Sequence, residues 1–190
     1  MLPLVRNPKY VAIDRDGTIL RYVPYLRRVE DVELVPSAGQ AISDLNAIGS
    51  EVIVITNQSI VGRGLLSELE LERIHRRMEL LLEQASARVA TILVCPHAPE
   101  DQCKCRKPSP ELVRGYLEEQ AIEQTQGYVI GDNETDVELA LELGVQPIHV
   151  QTGVHTELDI QNAYPSVPSA RDIGEAVSWI LAKGDHESGA

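Results

Sequence analysis

The sequence predicts an α/β fold, a doubly wound and mostly parallel sheet with helices on both faces. Three observations predict it. Five short apolar runs rich in β-branched residues recur along the chain, as suits strands covered on both faces. Segments with helical spacing of apolar residues separate them, and that alternation implies parallel strands joined by helical crossovers. The length, 190 residues, is that of one domain, able to bury a core without disulfides.

The first strand is Tyr10–Ile13 (YVAI), followed by a helix over Ser37–Ile48. The second strand, Val52–Ile55 (VIVI), leads to a helix over Ser67–Ala87. That helix opens with Ser67-x-x-Glu70, a capping box. The third strand is Thr91–Val94, and the next helix covers Pro110–Ile122. Ser109 is its expected N-cap, with Pro at the first helical position. The fourth strand, Tyr128–Ile130, precedes a helix over Thr135–Leu143 that stops at Gly144. Pro147–Val150 is the fifth strand and Arg171–Ala182 a last amphipathic helix. The domain is expected to span residues 1–185, fraying after Lys183, with a disordered tail over 186–190. No internal repeat or low-complexity tract interrupts it.

Composition narrows the function. The chain has no Phe and a single Trp, so its core must be mostly aliphatic. Acidic residues outnumber basic ones by 29 to 17, a net charge of −12, which argues against a nucleic-acid partner. No apolar run reaches the ~18 residues of a membrane span. The N-terminus, MLPLVRNPKY, lacks the apolar core of a signal peptide, so a cytoplasmic protein without a membrane partner is expected. The three cysteines all fall between residues 95 and 105 and cannot all pair as disulfides. In a reducing compartment such a cluster reads as a metal site.

Sites in such sheets form beyond the carboxyl ends of the strands. Strand one ends in Asp14-Arg15-Asp16-Gly17-Thr18. Two carboxylates two residues apart can share one divalent cation, and Gly17 lets the backbone turn sharply. The plain alternative is a turn rich in Asp and Gly. A calcium loop fails, because Ile19 falls where Gly is needed and Tyr25 where Glu is needed. Strand two ends in Thr56-Asn57-Gln58-Ser59, hydroxyl and amide donors suited to phosphate oxygens, and Gly62-Arg63-Gly64 adds a flexible cationic loop. After strand three come Cys95, His97, Cys103 and Cys105 in the pattern C-x-H-x5-C-x-C. Three thiolates and one imidazole complete a tetrahedral Zn²⁺ set with no position for water, so the site is structural and staples its loop. Arg106-Lys107-Pro108 follows directly, two cations that would face the strand ends. Strand four ends in Gly131-Asp132-Asn133-Glu134-Thr135-Asp136. Acids there can bind a metal or complement the positive end of a helix. Asp132 is expected to be functional; Asn133, Asp136 and His155 receive no role. His75 is expected at the surface of its charged helix, and His149 is unassigned.

Together DRDGT, Thr56 in TNQ, Lys107 in RKP and Asp132 in GDNETD resemble, in order and over roughly residues 10–150, the haloacid dehalogenase superfamily of phosphatases. With the cysteine loop, the chain is similar to the subgroup holding heptose 1,7-bisphosphate phosphatases and histidinol-phosphate phosphatases. The resemblance implies a Rossmann-like sheet with a small flap after strand one and no large cap domain. It implies Asp14 as nucleophile, forming an aspartyl-phosphate, and Asp16 as general acid and then base. Thr56 and Lys107 would hold the transferring phosphoryl group. Mg²⁺ would sit on Asp14, the backbone carbonyl of Asp16, and Asp132. Asn57, Gln58, Arg63 and Arg106 would contact substrate, and Zn²⁺ would sit on Cys95, His97, Cys103 and Cys105.

For the substrate, Tyr25–Ser37 (YLRRVEDVELVPS) and TNQSIVGRG resemble the heptose bisphosphate group. The five-residue spacer between His97 and Cys103, RKPSPELVRGYLEEQ and GYVIGDNETD are closer to the histidinol-phosphate group. Asn133 departs from both, where a basic residue often follows the motif Asp. The resemblance favours removal of the 7-phosphate from D-glycero-D-manno-heptose 1,7-bisphosphate. Histidinol phosphate and a generic sugar phosphate are the alternatives, and a zinc-stabilised binding module without turnover stays open. A monomer acting on a small-molecule phosphate ester is expected.

Overall fold

All five expected apolar runs form strands. The computed structural model describes residue 2 and residues 4–185, with side chains through residue 182. The strands are β1 (Tyr10–Ile13), β2 (Glu51–Asn57), β3 (Thr91–Cys95), β4 (Gly127–Gly131) and β5 (Gln146–Val150), with a sixth, β6 (Ser169–Ala170). Their order is β3-β2-β1-β4-β5-β6, and every pairing is parallel. The chain winds outward from β1 to β3, then returns to lay β4 on the other side of β1. The winding direction reverses between β1 and β4, which opens a crevice at their carboxyl ends.

The helices are α1 (Ala38–Ala47), α2 (Ser59–Gly62), α3 (Glu68–Gln84), α4 (Glu111–Glu119), α5 (Glu134–Leu143), α6 (Glu157–Ala163) and α7 (Ile173–Asp185). Successive strand residues point to opposite faces. Val11, Ile13, Val52, Val54 and Ile130 pack with α1, α3 and α7. Tyr10, Ala12, Ile53, Ile55 and Val129 pack with α4 and α5. Both faces are therefore apolar, which is why the strands read as continuous runs. The core is aliphatic as expected, with Tyr128 edge-on to Trp179 at 6.2 Å.

Local chemistry sets the element ends. The α3 capping box forms: the Ser67 hydroxyl accepts the Glu70 N–H at 3.2 Å, and the Glu70 carboxylate accepts the Ser67 N–H at 2.8 Å. α3 stops at Gln84, short of Ala87, because Ser86 takes a positive φ of 56°. α4 starts one residue late, with Pro110 at the N-cap. The Ser109 hydroxyl instead donates to the Lys104 carbonyl and accepts only a long 3.4 Å bond from the Glu111 N–H. α7 continues to Asp185, past the expected fraying at Lys183. The tail expected to be disordered, 186–190, lies outside the described residues.

Between β1 and α1 the chain doubles back as the expected small flap. Leu20 bridges Leu34 in antiparallel sense, the Arg21 N–H donates to the Glu33 carbonyl at 2.9 Å, and Leu26 and Val32 are buried. No large cap domain lies over the sheet among the described residues, where no helix is long and apolar enough to cross a membrane.

Candidate active site

The site forms where β1 and β4 part. The Asp14 N–H donates to the Ile130 carbonyl at 2.9 Å, so the chain leaves the sheet with Asp14 at the crevice. Its carboxylate is buried, and burial pushes it well above the usual carboxylate range, with Lys107 opposing. Lys107 arrives from the loop before α4, and Asn57 at the end of β2 clamps its backbone. The Asn57 Oδ1 accepts the Lys107 N–H at 3.0 Å, and its Nδ2 donates to the Lys107 carbonyl at 3.2 Å. The Lys107 Nζ donates to Asp14 Oδ1 (2.5 Å), Asp136 Oδ1 (2.7 Å) and the Ile55 carbonyl (3.0 Å). Burial works to lower its pKa, but Asp136 and Asp14 outweigh burial and hold it above the ordinary lysine value.

Asp132 follows β4. Its Oδ2 accepts the Val154 N–H at 2.7 Å, and burial lifts the carboxyl to about 6. Two glycines make room for it. Gly17 has φ +88°, and a Cβ there would lie 2.9 Å from Asp132 Oδ2; at Gly153 the gap would be 1.9 Å. The carboxylates of Asp14, Asp132 and Asp136 converge, with one oxygen of each lying within 4.8 Å of the others, and all three residues are buried. One ammonium among three buried carboxylates leaves the cluster short of positive charge, the donor chemistry a hard divalent cation fits. Asp136 already gives its oxygens to Lys107 and to the Asn133 N–H, the latter at 3.1 Å.

The Asp16 carboxylate is turned elsewhere. The Arg15 Nε and Nη2 fork onto it at 2.8–3.2 Å. The Gln58 Nε2 donates to it at 2.8 Å and also to Thr56 Oγ1 at 2.6 Å. Asp16 is not among the carboxylates that converge. A cleft of about 260 Å³ opens over these groups, lined by Asp14, Asp16, Thr56, Asn57, Arg106, Lys107 and Asp132, with Tyr22 from the flap. Tyr22 also borders a groove of about 800 Å³ under the flap, where Glu30, Asp31 and Glu33 lie.

Most of the expected site residues thus meet in one cleft. Gln58 stands behind it, holding Asp16 and Thr56. Arg63 does not line it. The Gly62 N–H donates to the Pro96 carbonyl at 2.8 Å, so α2 packs on the cysteine loop and Arg63 turns to Glu100 at 3.5 Å. His75 is half-buried rather than fully at the surface, and its Nε2 meets Arg15 Nη1 at 2.9 Å. Asp136, unassigned from sequence, is central. His149 is fully buried and bonded to Ser169 Oγ at 3.0 Å and the His155 carbonyl at 3.2 Å. His155 accepts the Glu134 N–H at 3.3 Å.

The cysteine loop gathers its four donors. The Sγ–Sγ distances are 3.5 Å (Cys95–Cys103), 3.4 Å (Cys95–Cys105) and 3.6 Å (Cys103–Cys105). His97 Nδ1 lies 3.2 Å from Cys105 Sγ and 3.8 Å from Cys95 Sγ. A tetrahedral thiolate site with bonds of ~2.3 Å has edges of ~3.8 Å, so the set fits one metal ion. The Cys95 thiol is pushed up to about 12, first by burial. The Arg106 Nη1 donates to the His97 carbonyl at 3.5 Å, joining this loop to the cleft.

The HAD-hydrolase-like family model matches residues 104–176. A D-glycero-beta-D-manno-heptose-1,7-bisphosphate 7-phosphatase of Pseudomonas putida is 36% identical over 147 residues, 76% of this chain and 83% of that protein. A histidine biosynthesis bifunctional protein of Blochmanniella floridana is 32% identical over 145 residues, 75% of this chain but 41% of that protein. The crystal structure of a D,D-heptose 1,7-bisphosphate phosphatase from B. bronchiseptica, complexed with magnesium and phosphate, superposes with a TM-score of 0.85. It is 29% identical, over 92% of this chain and 99% of that one.

Proposed function

The chain belongs to the haloacid dehalogenase-like phosphatases, which are phosphoric monoester hydrolases, and on that premise we propose that it removes the 7-phosphate of D-glycero-D-manno-heptose 1,7-bisphosphate. One observation carries the reading of the site: the buried Asp14 carboxylate at the switch point, paired with Lys107 and beside Asp132 in one open cleft. The named substrate is supported by the relative from Pseudomonas putida and the structure from B. bronchiseptica.

In this reading Asp14 attacks phosphorus and the ester bond breaks. Asp16 protonates the leaving oxygen, then takes a proton from the water that attacks the aspartyl-phosphate. Lys107 and Thr56 hold the phosphoryl oxygens, and Asp136 anchors Lys107 so that its ammonium stays aimed at Asp14. Arg106 meets a substrate phosphate at the cleft wall. Asp14, Asp132 and the Asp16 carbonyl would hold Mg²⁺, which when bound supplies positive charge offsetting the repulsion between carboxylate and phosphate dianion. Cys95, His97, Cys103 and Cys105 would hold Zn²⁺ and fix the loop that delivers Arg106 and Lys107. Reduced thiols in that set are consistent with a cytoplasmic enzyme, and it would act as a monomer.

Histidinol phosphate is the second reading, favoured by the 32% identity to the histidine biosynthesis protein and the short His97–Cys103 spacer. The test is Mg²⁺-dependent phosphate release from both esters side by side, with Asp14→Asn as control. A large preference for the bisphosphate is expected, and Asp14→Asn should lower turnover by about four orders of magnitude or more. A larger kcat/KM for histidinol phosphate replaces the named substrate. Full activity in Asp14→Asn overturns the mechanism, and no release from any ester leaves a binding module.

A further inference from the structure

We propose that His75 is a positioning residue for proton transfer: from α3 it holds Arg15, and through Arg15 it fixes the carboxylate of Asp16. The proposal rests on the reading of Asp16 as general acid and base.

Arg15 is 1% exposed and is the largest fully buried side chain among the described residues. A buried guanidinium needs acceptors for its fork of donors. Nε and Nη2 find the Asp16 carboxylate, and Nη1 finds His75 Nε2 at 2.9 Å. A ring nitrogen accepts from a guanidinium only when it carries no proton. The ring is therefore neutral, with its proton on Nδ1. Burial, and then the charge of Arg15, pull His75 down to about 4, so it remains an acceptor at neutral pH.

The chemical identity matters. A carboxylate at position 75 would offer Arg15 a second anion and draw the fork away from Asp16. A neutral imidazole takes a single N–H and leaves the charge and the forked edge to Asp16. Ile74 and Met78, both fully buried, seat this stretch of α3 against the sheet, so the acceptor is placed by a packed helix. On its other side Asp16 is held by Gln58, which also holds Thr56. A carboxylate fixed from two sides keeps one orientation, whereas a free one samples many.

Leaving-group chemistry tests this. A sugar alkoxide needs a proton to depart; p-nitrophenolate does not. The measurement is single-turnover release of the leaving group from the better sugar-phosphate or alcohol-phosphate substrate and from p-nitrophenyl phosphate, using full-length enzyme with Mg²⁺. His75→Leu should slow the alkyl ester about tenfold or more and the aryl ester by less than about twofold, with KM unchanged within about twofold. His75→Gln, whose amide oxygen can accept from Arg15, should restore most of the loss. Asp16→Asn should show the same asymmetry, larger. If Asp16→Asn slows both esters alike, the reading of Asp16 fails. If Asp16→Asn is asymmetric and His75→Leu is unchanged or slows both alike, the role of His75 is overturned. A measurement on the unmodified protein stands beside these: ¹⁵N NMR at pH 7 should find His75 as the Nδ1–H tautomer. An Nε2–H or doubly protonated ring overturns the proposal.

Discussion

Replacing Lys107 by Met removes the ammonium and keeps most of the stem. The side chain of Lys107 is 3% exposed and bridges Asp14 and Asp136. Deleting one partner of a buried ion pair costs about 3–5 kcal/mol, because the charge left behind is uncompensated. Here two carboxylates are left, and the cost falls where Asp14 takes up a proton. Burial already raises Asp14, and Lys107 is the largest influence holding it down. Without Lys107 it rises further. An acid raised in the folded state contributes stability that is fully present below its unfolded value, about 3.9, and lost as pH rises through its folded value. The deficit of Lys107→Met in metal-free protein should therefore be smaller at pH 5 than at pH 8, where it should reach ~3–5 kcal/mol. Urea unfolding at the two pH values measures it. With Mg²⁺ present, loss of this preorganised donor should lower kcat by about 10²–10³-fold in phosphate release. A deficit equal at both pH values refutes the coupling to Asp14. A kcat within tenfold of wild type refutes the role in holding the phosphoryl group.

Gly153→Ala puts a Cβ 1.9 Å from Asp132 Oδ2, so Asp132 must rotate. The Mg²⁺ concentration for half-maximal phosphate release should rise about 10–100-fold, and an unchanged requirement argues against Asp132 as a ligand. Cys105→Ser should lose bound zinc by elemental analysis and lower the Tm by about 5–15 °C. Retained zinc would sink the four-donor site. Burial lifts Asp132 to about 6, so in metal-free protein its contribution to stability is lost as pH rises from about 4 through that value. A cation that replaces the proton should then raise the Tm more at pH 7 than at pH 5; equal shifts in a thermal scan would count against this assignment.

The sheet was legible because β1, β2, β4 and β5 are buried on both faces, which writes continuous apolar runs into the sequence. Helix ends were legible where the capping chemistry is local. Ser67 and Glu70 cap one another across three residues. Ser109 failed as a cap because its hydroxyl donates to Lys104, an alternative no helix pattern contains. β6 and α6 carry little hydrophobic signal. β6 is two residues long, and α6 buries only Ile160. β6 is located by backbone bonds to Pro168, just before it, and to its own Ala170, from the His149 and Gln151 N–H groups about 19 residues earlier.

Within the site, strand ends announced Asp14, Thr56 and Asp132, and a turn rich in cations announced Lys107. What the cations do was hidden, because charge pairing joins distant segments: Lys107 to Asp14 across 93 residues, and Arg15 to His75 across 60. Asp136 had a visible signal, its spacing from Asn133 as the closing member of a capping box. That signal accounts for one carboxylate oxygen only; the other is explained by Lys107. The same pairing settles an apparent conflict between a chain of net charge −12 and an anionic substrate. The two buried cations beside the cleft are already engaged, Arg15 by Asp16 and Lys107 by Asp14 and Asp136. Neither can simply be counted as free attraction for phosphate. In the proposed reading, Arg106, which lines the cleft, together with a cation drawn to the carboxylate cluster, would supply that attraction. On that reading substrate binding, and not turnover alone, should weaken when Mg²⁺ is withheld, which substrate-binding titrations of Asp14→Asn with and without Mg²⁺ would measure.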